Sequence, residues 1–434
     1  MDVVLRAERV LVGGRIRAAA VGVVDGVITE VGPLDADVAA HEDVRVPPSA
    51  ALLPGFVDTH VHVNAPGTDW EGFATATAAA AAGGITTLVD MPLDSDPVTT
   101  TVDALDVKKA AARGNCSVAV GFWAGIVPAN VDDIDELAAA GVRGFKCFLT
   151  DSGNPNFLHL PSAEFRRAAA HVARLGSVLL VHAEHHDVIT DSPRPLGREY
   201  SSFLASRPDA AEEHAVALVL DTARETGARV HVVHVSSAQV LPLIAAAKQA
   251  GVAVTAETCP HYLTFAAETI PDGGTEYAAC PPIRSEGNRR LLWDGLRDGT
   301  LDMVVSDHSP CAPELKAGGD FGAAFGGISS LQLGPTAVWT QARPLGFGLP
   351  DLSRWMAERP AALAGFGDRG RIEVGMRADL CFFDPDGGQT VRADTLAQRH
   401  GITPYDGVAQ RGRVLQTWVA GHRVFDGERM RQPA

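Results

Sequence analysis

The chain is short of several things. It has no apolar run long enough to span a bilayer; the alanine-rich patch at 78–82 breaks at Gly83-Gly84. It has no basic excess, since 37 lysines and arginines stand against 53 acidic residues, a formal charge of −16 at pH 7. That balance argues against nucleic acid and anionic membrane surfaces as partners, because both need a cationic footprint. The six cysteines (116, 147, 259, 280, 311 and 381) form no CxxC and no close spacing, so they read as reduced thiols rather than a disulfide framework. The start, Met1-Asp2-Val3-Val4, offers neither a basic segment nor an apolar stretch with a cleavage site, and the expected location is cytoplasmic. Asn115-Cys116-Ser117 is then a chance match to a glycosylation acceptor. No P-loop, GxSxG elbow or HExxH is found. Gly365-Phe366-Gly367-Asp368-Arg369-Gly370 is literally GxGxxG, but it follows a helical segment and precedes a β segment. That is the wrong context for a dinucleotide fingerprint, and the glycines read as turn residues.

What is present is ample material for a core: 434 residues, 46% hydrophobic and 21% charged. Residues 1–50 read as short strands and turns, with loose alternation around Asp25-Gly26. Eight β segments follow, at 52–57, 85–91, 117–123, 142–149, 177–183, 229–235, 252–257 and 301–306. Helical stretches lie between them, among them 75–82, 163–175, 209–226 and 240–250. This α/β alternation predicts a (β/α)8 TIM-like barrel over 51–367; a doubly wound open sheet is the alternative. β character returns after 368, in 378–383, 412–419 and 422–425. Segments 1–50 and 368–434 are therefore expected to build one small β-sandwich domain from both termini.

The chemistry-bearing residues sit at the ends of these β segments. Asp58-Thr59-His60-Val61-His62 places two histidines at i and i+2, on one side of a strand, where they can grip one metal ion or form a bland hydrogen-bonded pair. Lys146 is one of only five lysines and lies among Phe145, Cys147, Phe148 and Leu149. A buried ammonium is costly. Either Lys146 reaches solvent or a carboxylate, or its nitrogen has captured CO2 to become an anionic carbamate that bridges two cations. His182, His234 and Asp307 end three further β segments. His185, His186, His261 and His308 crowd the same loops, and His231 reads as an ordinary buried histidine. Six such residues ending five strands of one barrel suit zinc or another borderline divalent ion, with manganese, iron or cobalt as substitutes. Two ions would supply a nucleophilic hydroxide at neutral pH.

The series Pro54-Gly55-Phe56-Val57-Asp58-Thr59-His60-Val61-His62, the Lys146 strand, Val181-His182-Ala183-Glu184, His234-Val235-Ser236 and Ser306-Asp307-His308 resembles the cyclic amidohydrolases of the amidohydrolase superfamily. Gly375-Met376-Arg377-Ala378-Asp379-Leu380 resembles the family's return into its β-sandwich. The resemblance implies two divalent metal ions per subunit: His60 and His62 on one, His182 and His234 on the other, carboxylated Lys146 bridging, and Asp307 completing the first shell and serving as the catalytic proton carrier. It also implies a homotetramer.

Within that family the chain is most similar to the allantoinase branch. The stretches that carry this are Thr68-Asp69-Trp70-Glu71-Gly72-Phe73, Asp90-Met91-Pro92-Leu93-Asp94-Ser95, Cys280-Pro281-Pro282-Ile283-Arg284, Ser306-Asp307-His308-Ser309-Pro310-Cys311-Ala312-Pro313, Gly319-Asp320-Phe321 and Phe325-Gly326-Gly327-Ile328-Ser329. The dihydroorotase branch carries an arginine where this chain has Asn64, and the dihydropyrimidinase and hydantoinase branch a tyrosine where it has Asp151. Cys280 departs from the serine that the resemblance leads one to expect. The implied activity is metal-dependent opening of the hydantoin ring of a small cyclic ureide, allantoin to allantoate, by a metal-bridging hydroxide. Cys280, Gly326, Gly327 and Asn154 are the candidate substrate contacts, and Asp320-Phe321 with Gly318-Gly319 a candidate lid and hinge. The alternatives are a hydantoinase or dihydropyrimidinase acting on other cyclic diamides, a mononuclear deaminase-like barrel that would not need Lys146, and a non-catalytic assembly module.

Overall fold

The computed structural model describes residues 1–194 and 197–431. It is an α/β protein with two kinds of sheet. One is an eight-stranded sheet drawn from both ends of the chain. Its N-terminal strands Val3–Val12, Arg15–Val24 and Val27–Gly32 form an antiparallel meander. The turn between the last two holds Asp25 and Gly26 at φ 49° and 75°, the left-handed conformation that an Asp-Gly hairpin turn requires. The C-terminal strands Leu380–Thr390, Ala409–Val419 and His422–Phe425 continue the sheet, joined to the N-terminal half where Leu380–Phe383 pair antiparallel with Ala51–Pro54. One apolar cluster accordingly mixes Leu5, Val21 and Leu52 with Leu380, Phe382 and Trp418.

The front β segment at 52–57 differs from expectation. It is two strands, Ala51–Pro54 in the terminal sheet and Phe56–Val61 in the parallel series, parted at Gly55. A Cβ on Gly55 would lie 2.3 Å from the Thr86 side chain, so the chain crosses between sheets where only glycine fits.

The parallel strands follow in sequence order. Phe56–Val61 pairs with Ile85–Asp90, which pairs with Ala119–Phe122. The next strand, Ala124–Gly125, pairs with Phe145–Phe148, and the order continues through Val178–His182, Arg229–Val232, Val254–Thr258 and Met303–Val304. Trp123 links the third and fourth pieces along the chain; its backbone N–H reaches the Asp90 carbonyl of the second strand at 3.0 Å, and the Phe122 carbonyl accepts from the Arg143 N–H at 2.9 Å. Beyond Met303–Val304, His308 bridges Val61 in parallel, and the His62 N–H reaches the His308 carbonyl at 2.8 Å. The buried Asp58 carboxylate accepts from the Ser306 and His60 N–H groups, tying the first strand to the last. Helices Phe73–Ala82, Ser162–Arg174, Asp209–Thr226 and Leu241–Gln249 lie between strands. Alternation along Val178–His182 puts Val178 and Leu180 into an apolar cluster with Val57, Val89, Met303, Val305 and Phe366, and leaves His182 on the same face at the strand's C-terminal end. The GxGxxG glycines Gly365 and Gly370 have φ 71° and 85°, as turn residues do.

Candidate metal centre

The C-terminal ends of the parallel strands bring the six candidate ligands to one rim. His60 and Lys146 lie in Phe56–Val61 and Phe145–Phe148, and His182 closes Val178–His182. His62, His234 and Asp307 follow their strands within a few residues. The His60 ring lies 5.6 Å from that of His62 and 5.4 Å from that of His234, and His234 lies 4.6 Å from His182. The Asp307 carboxylate is 3.1 Å from His60 Nε2 and 3.6 Å from His62 Nε2. Ligand atoms of His60, His62 and Asp307 lie within 4.8 Å of one another. Lys146 is 1% exposed, and its Nζ lies 4.9 Å from the Phe148 ring, which stacks on His182 at 4.6 Å.

The backbone is strained where it turns in toward this space. Asn64, His234 and Asp307 adopt φ 57°, 39° and 45°. Such conformations cost about 1–3 kcal/mol each for non-glycine residues and persist where the surroundings over-determine them.

An outer layer fixes the rings. Glu257 Oε1 lies 2.6 Å from His60 Nδ1, the Leu93 carbonyl 2.8 Å from His62 Nδ1, and Glu184 Oε2 2.8 Å from His182 Nε2. An acceptor on one ring nitrogen holds the proton there and turns the other nitrogen's lone pair toward the centre. Glu257 also takes His231 Nε2 at 2.9 Å, and His231 Nδ1 meets Thr255 Oγ1 at 2.7 Å. His231 is thus a core histidine one layer out, held through Nδ1 by Thr255. Glu184 is paired in addition with Arg207. Neither Glu257 nor Glu184 stands out in the sequence. The available signal was their spacing: Glu184 follows His182 by two, and Glu257 lies in the strand Val254–Thr258 beside that of His231.

Burial sets the protonation states. It holds His62 and His234 well below the usual histidine range and His182 at about 4, so all three are neutral at pH 7 with a lone pair free. Burial pushes Lys146 down to about 8 against the pull of Asp307 and Glu257. Burial raises Asp307, opposed by His60 and Lys146. Burial alone would raise Glu257, but His231 and His60 outweigh it and bring the carboxyl to about 2.

The donor set fits the implied ions. Neutral imidazoles and a carboxylate are what a borderline divalent ion takes. His234 Nδ1 is buried with no hydrogen-bond partner among the described residues, and the lowering of Lys146 to about 8 gives it a larger fraction of the neutral amine that carbamate formation needs than an ordinary lysine has at pH 7.

The candidate substrate contacts are placed differently. A Cβ on Gly326 would meet Cys280 Sγ at 2.5 Å, and one on Gly327 the Ser309 carbonyl oxygen at 2.5 Å. Ser309 Oγ in turn donates to Asp307 at 3.2 Å. Gly326 thus packs on the Cys280 side chain, and Gly327 on the backbone of Ser309, the residue that donates to Asp307. Asn154 sits on the loop after the Lys146 strand, its amide donating to Asp94 at 2.9 Å. Asn64 spends its side chain on backbone, donating to the Pro310 carbonyl at 3.0 Å and accepting from the Asp94 N–H at 3.1 Å. Asp151 is exposed and accepts from the Gly153 N–H in a local turn. The expected lid is pinned: Phe321 packs against Tyr200 and Phe203, Asp320 accepts from the Gly197 N–H, and Lys316 Nζ donates to the Thr275 and Ala278 carbonyls.

Comparison with known proteins agrees with this geometry. The pattern of the amidohydrolase family matches residues 51–424. The chain is 50% identical to an allantoinase of Streptomyces avermitilis over 99% of its own length and 96% of that protein's. It is 44% identical to an allantoinase of Saccharomyces cerevisiae over 86% and 82%. Among solved structures it superposes on the L-hydantoinase (dihydropyrimidinase) of Arthrobacter aurescens with a TM-score of 0.93 at 29% identity, covering 99% of this chain and 97% of the other. The dihydropyrimidinase of Brevibacillus agri gives 0.90 at 26%, covering 99% and 96%. Among the described residues no helix is long and apolar enough to cross a membrane. With the strand-end histidines, lysine and aspartate gathered at one rim and the family's pattern running through all of them, the chain belongs to the amidohydrolase family and is an enzyme acting on cyclic amides.

Proposed function

We propose that this enzyme opens the hydantoin ring of allantoin by hydrolysis, giving allantoate. The observation that carries the reading is the convergence of all six ligand-type side chains at one rim, in a chain matched end to end by allantoinases. His60, His62 and Asp307 would hold one divalent ion, His182 and His234 the other, with carboxylated Lys146 between them; zinc is the expected ion, and manganese, iron or cobalt suit the same donors. When bound, such a pair makes water nucleophilic at neutral pH and polarises the carbonyl under attack.

The chain's own residues do the rest. Asp307 takes the proton of the attacking water and returns it to the departing ring nitrogen. Glu257, Glu184 and the Leu93 carbonyl keep the three imidazoles turned toward the reacting atoms. Cys280, Gly326 and Gly327 seat the ring through their backbone, and Asn154 stands at the pocket edge. Asn64, its amide consumed by backbone groups, offers no cation to a ring carboxylate, which supports a ureide over dihydroorotate. The exposed Asp151 supports an allantoinase over the branch that uses a tyrosine there.

On the same reading the parallel strands, with Ala119–Phe122 and Ala124–Gly125 as two pieces of one, close as a (β/α)8 barrel over 51–367, with 1–50 and 368–434 forming the β-sandwich domain. The protein works as a cytoplasmic homotetramer on a small molecule, with neither nucleic acid nor membrane as partner. The test is turnover of allantoin, hydantoin, dihydrouracil and dihydroorotate by the metal-loaded enzyme. The expected result is a kcat/KM for allantoin at least about 100-fold above the others, the discrimination that well-placed polar contacts provide. Preference for dihydrouracil or simple hydantoins would overturn the substrate and leave the metal centre standing.

A further inference from the structure

We propose that Cys259, His261 and Asp307 form an overlapping third metal site, which takes a soft or borderline divalent cation such as cadmium or excess zinc and thereby inhibits the enzyme. The consequence for activity rests on the role given above to Asp307; the site itself does not.

Cys259 and His261 flank Pro260 just past the strand Val254–Thr258, at the rim that carries the resident ligands. One atom each of the thiol, the imidazole and the Asp307 carboxylate lie within 4.8 Å of one another. An ion with bonds of about 2.0–2.3 Å closes that triangle with side-chain shifts of about 1 Å. Cys259 and His261 are both 0% exposed, and Asp307, with 12% of its side chain exposed, is the way in.

The second observation concerns His261 itself. Neither of its ring nitrogens has a hydrogen-bond partner among the described residues. Each of the other buried histidines outside the ligand set has at least one ring nitrogen in a hydrogen bond: His231 Nδ1 with Thr255, His171 with Asp135 and the Val131 carbonyl, His308 with Glu71 and the Ser330 N–H. A buried polar group without a partner is destabilising and calls for one. His261 lies among groups that make a metal the fitting partner. Sulfur, imidazole nitrogen and a single carboxylate select zinc or cadmium over magnesium or calcium. On binding, the Cys259 S–H bond breaks, a sulfur–metal bond forms and the proton leaves to solvent. Asp307 is then a ligand to the third ion and no longer free to carry the proton of catalysis.

The experiment is a cadmium titration of the holoenzyme beyond its resident metal content, read by equilibrium dialysis, by the ultraviolet cadmium–thiolate charge-transfer band and by ureide turnover. No resident ligand is a thiol, so the band reports this site and not exchange at the centre. The expected result is one further ion per chain, a band that grows with it, and activity that falls in step. Cys259→Ser abolishes the band, and both Cys259→Ser and His261→Asn weaken inhibition at least about tenfold. No further ion, no band, or inhibition unchanged in both variants would overturn the proposal. Should the enzyme prove inert on allantoin, dialysis and the band still decide the site, so the two readings fail separately.

Discussion

The wall that carries the six candidate ligands and the wall that carries Cys280, Gly326, Gly327 and Asn154 are held in place by different means. The ligands sit at the ends of hydrogen-bonded strands, none more than 9% exposed, and three have an outer partner that fixes the ring. The other wall is loop. Cys280, Gly326 and Asn154 are half-buried, and the first two are fitted closely together, the Gly326 backbone against the Cys280 sulfur. The difference separates chemical identity from shape. On the strand wall a side chain is required for its donor atom; on the loop wall a residue is required for the room it leaves.

The predictions press on that contrast, from the largest effect to the smallest. Lys146→Ala removes the proposed bridging ligand, and both the metal count per chain and turnover should collapse, the latter by about 10⁴-fold or more as metal activation of water is lost. Elemental analysis beside the kinetics checks it. Asp307→Asn should lower kcat by about 10²–10⁴-fold, the span of a lost general base, with KM far less affected. Glu257→Gln leaves every ligand in place but alters the acceptor behind His60, and should weaken metal retention by about 10–100-fold against a chelator. Unchanged retention there would erase the claim that the strand wall is chemically specified two layers deep.

On the loop wall, Gly326→Ala forces a methyl against Cys280 Sγ. It should cost about 1–3 kcal/mol of overpacking and raise KM without emptying the metal site. Cys280→Ala combined with it should restore both. Metal loss in the single variant would mean the two walls are one structural unit.

The smallest effect is in acid. Burial alone would raise Glu184, but Arg207 and His182 outweigh it and bring the carboxyl to about 2, below its ordinary 4.5. A carboxyl depressed in the fold adds stability above the unfolded value, and that stability is lost as pH falls from about 4.5 through about 2. Glu184→Gln should therefore flatten the fall of the denaturation midpoint across that window while lowering stability at neutral pH.

Much of this was legible from local pattern. The helix at 209–226 and the strand at 422–425 fall at their expected bounds, and every expected ligand sits at or just past a strand end. The illegible parts were non-local. Leu52-Leu53-Pro54-Gly55-Phe56-Val57 is one apolar run, and its split at Gly55 is dictated by Thr86 and by Leu380–Phe383, far along the chain. Glu257 is separated from His60 by 197 positions, so nothing local marks it as the ring's anchor. The loop wall was legible only through resemblance, since glycines and a cysteine carry no chemical signature until a neighbour's distance is known.

The most direct test of the central claim is reconstitution: metal-free protein titrated with zinc in the presence of bicarbonate, with bound metal and allantoin turnover followed together. Activity that rises to a plateau at two ions per chain, and fails to rise in Lys146→Ala, is what a bridged two-ion centre predicts. Full activity at one ion per chain, or in the Lys146 variant, would contradict it.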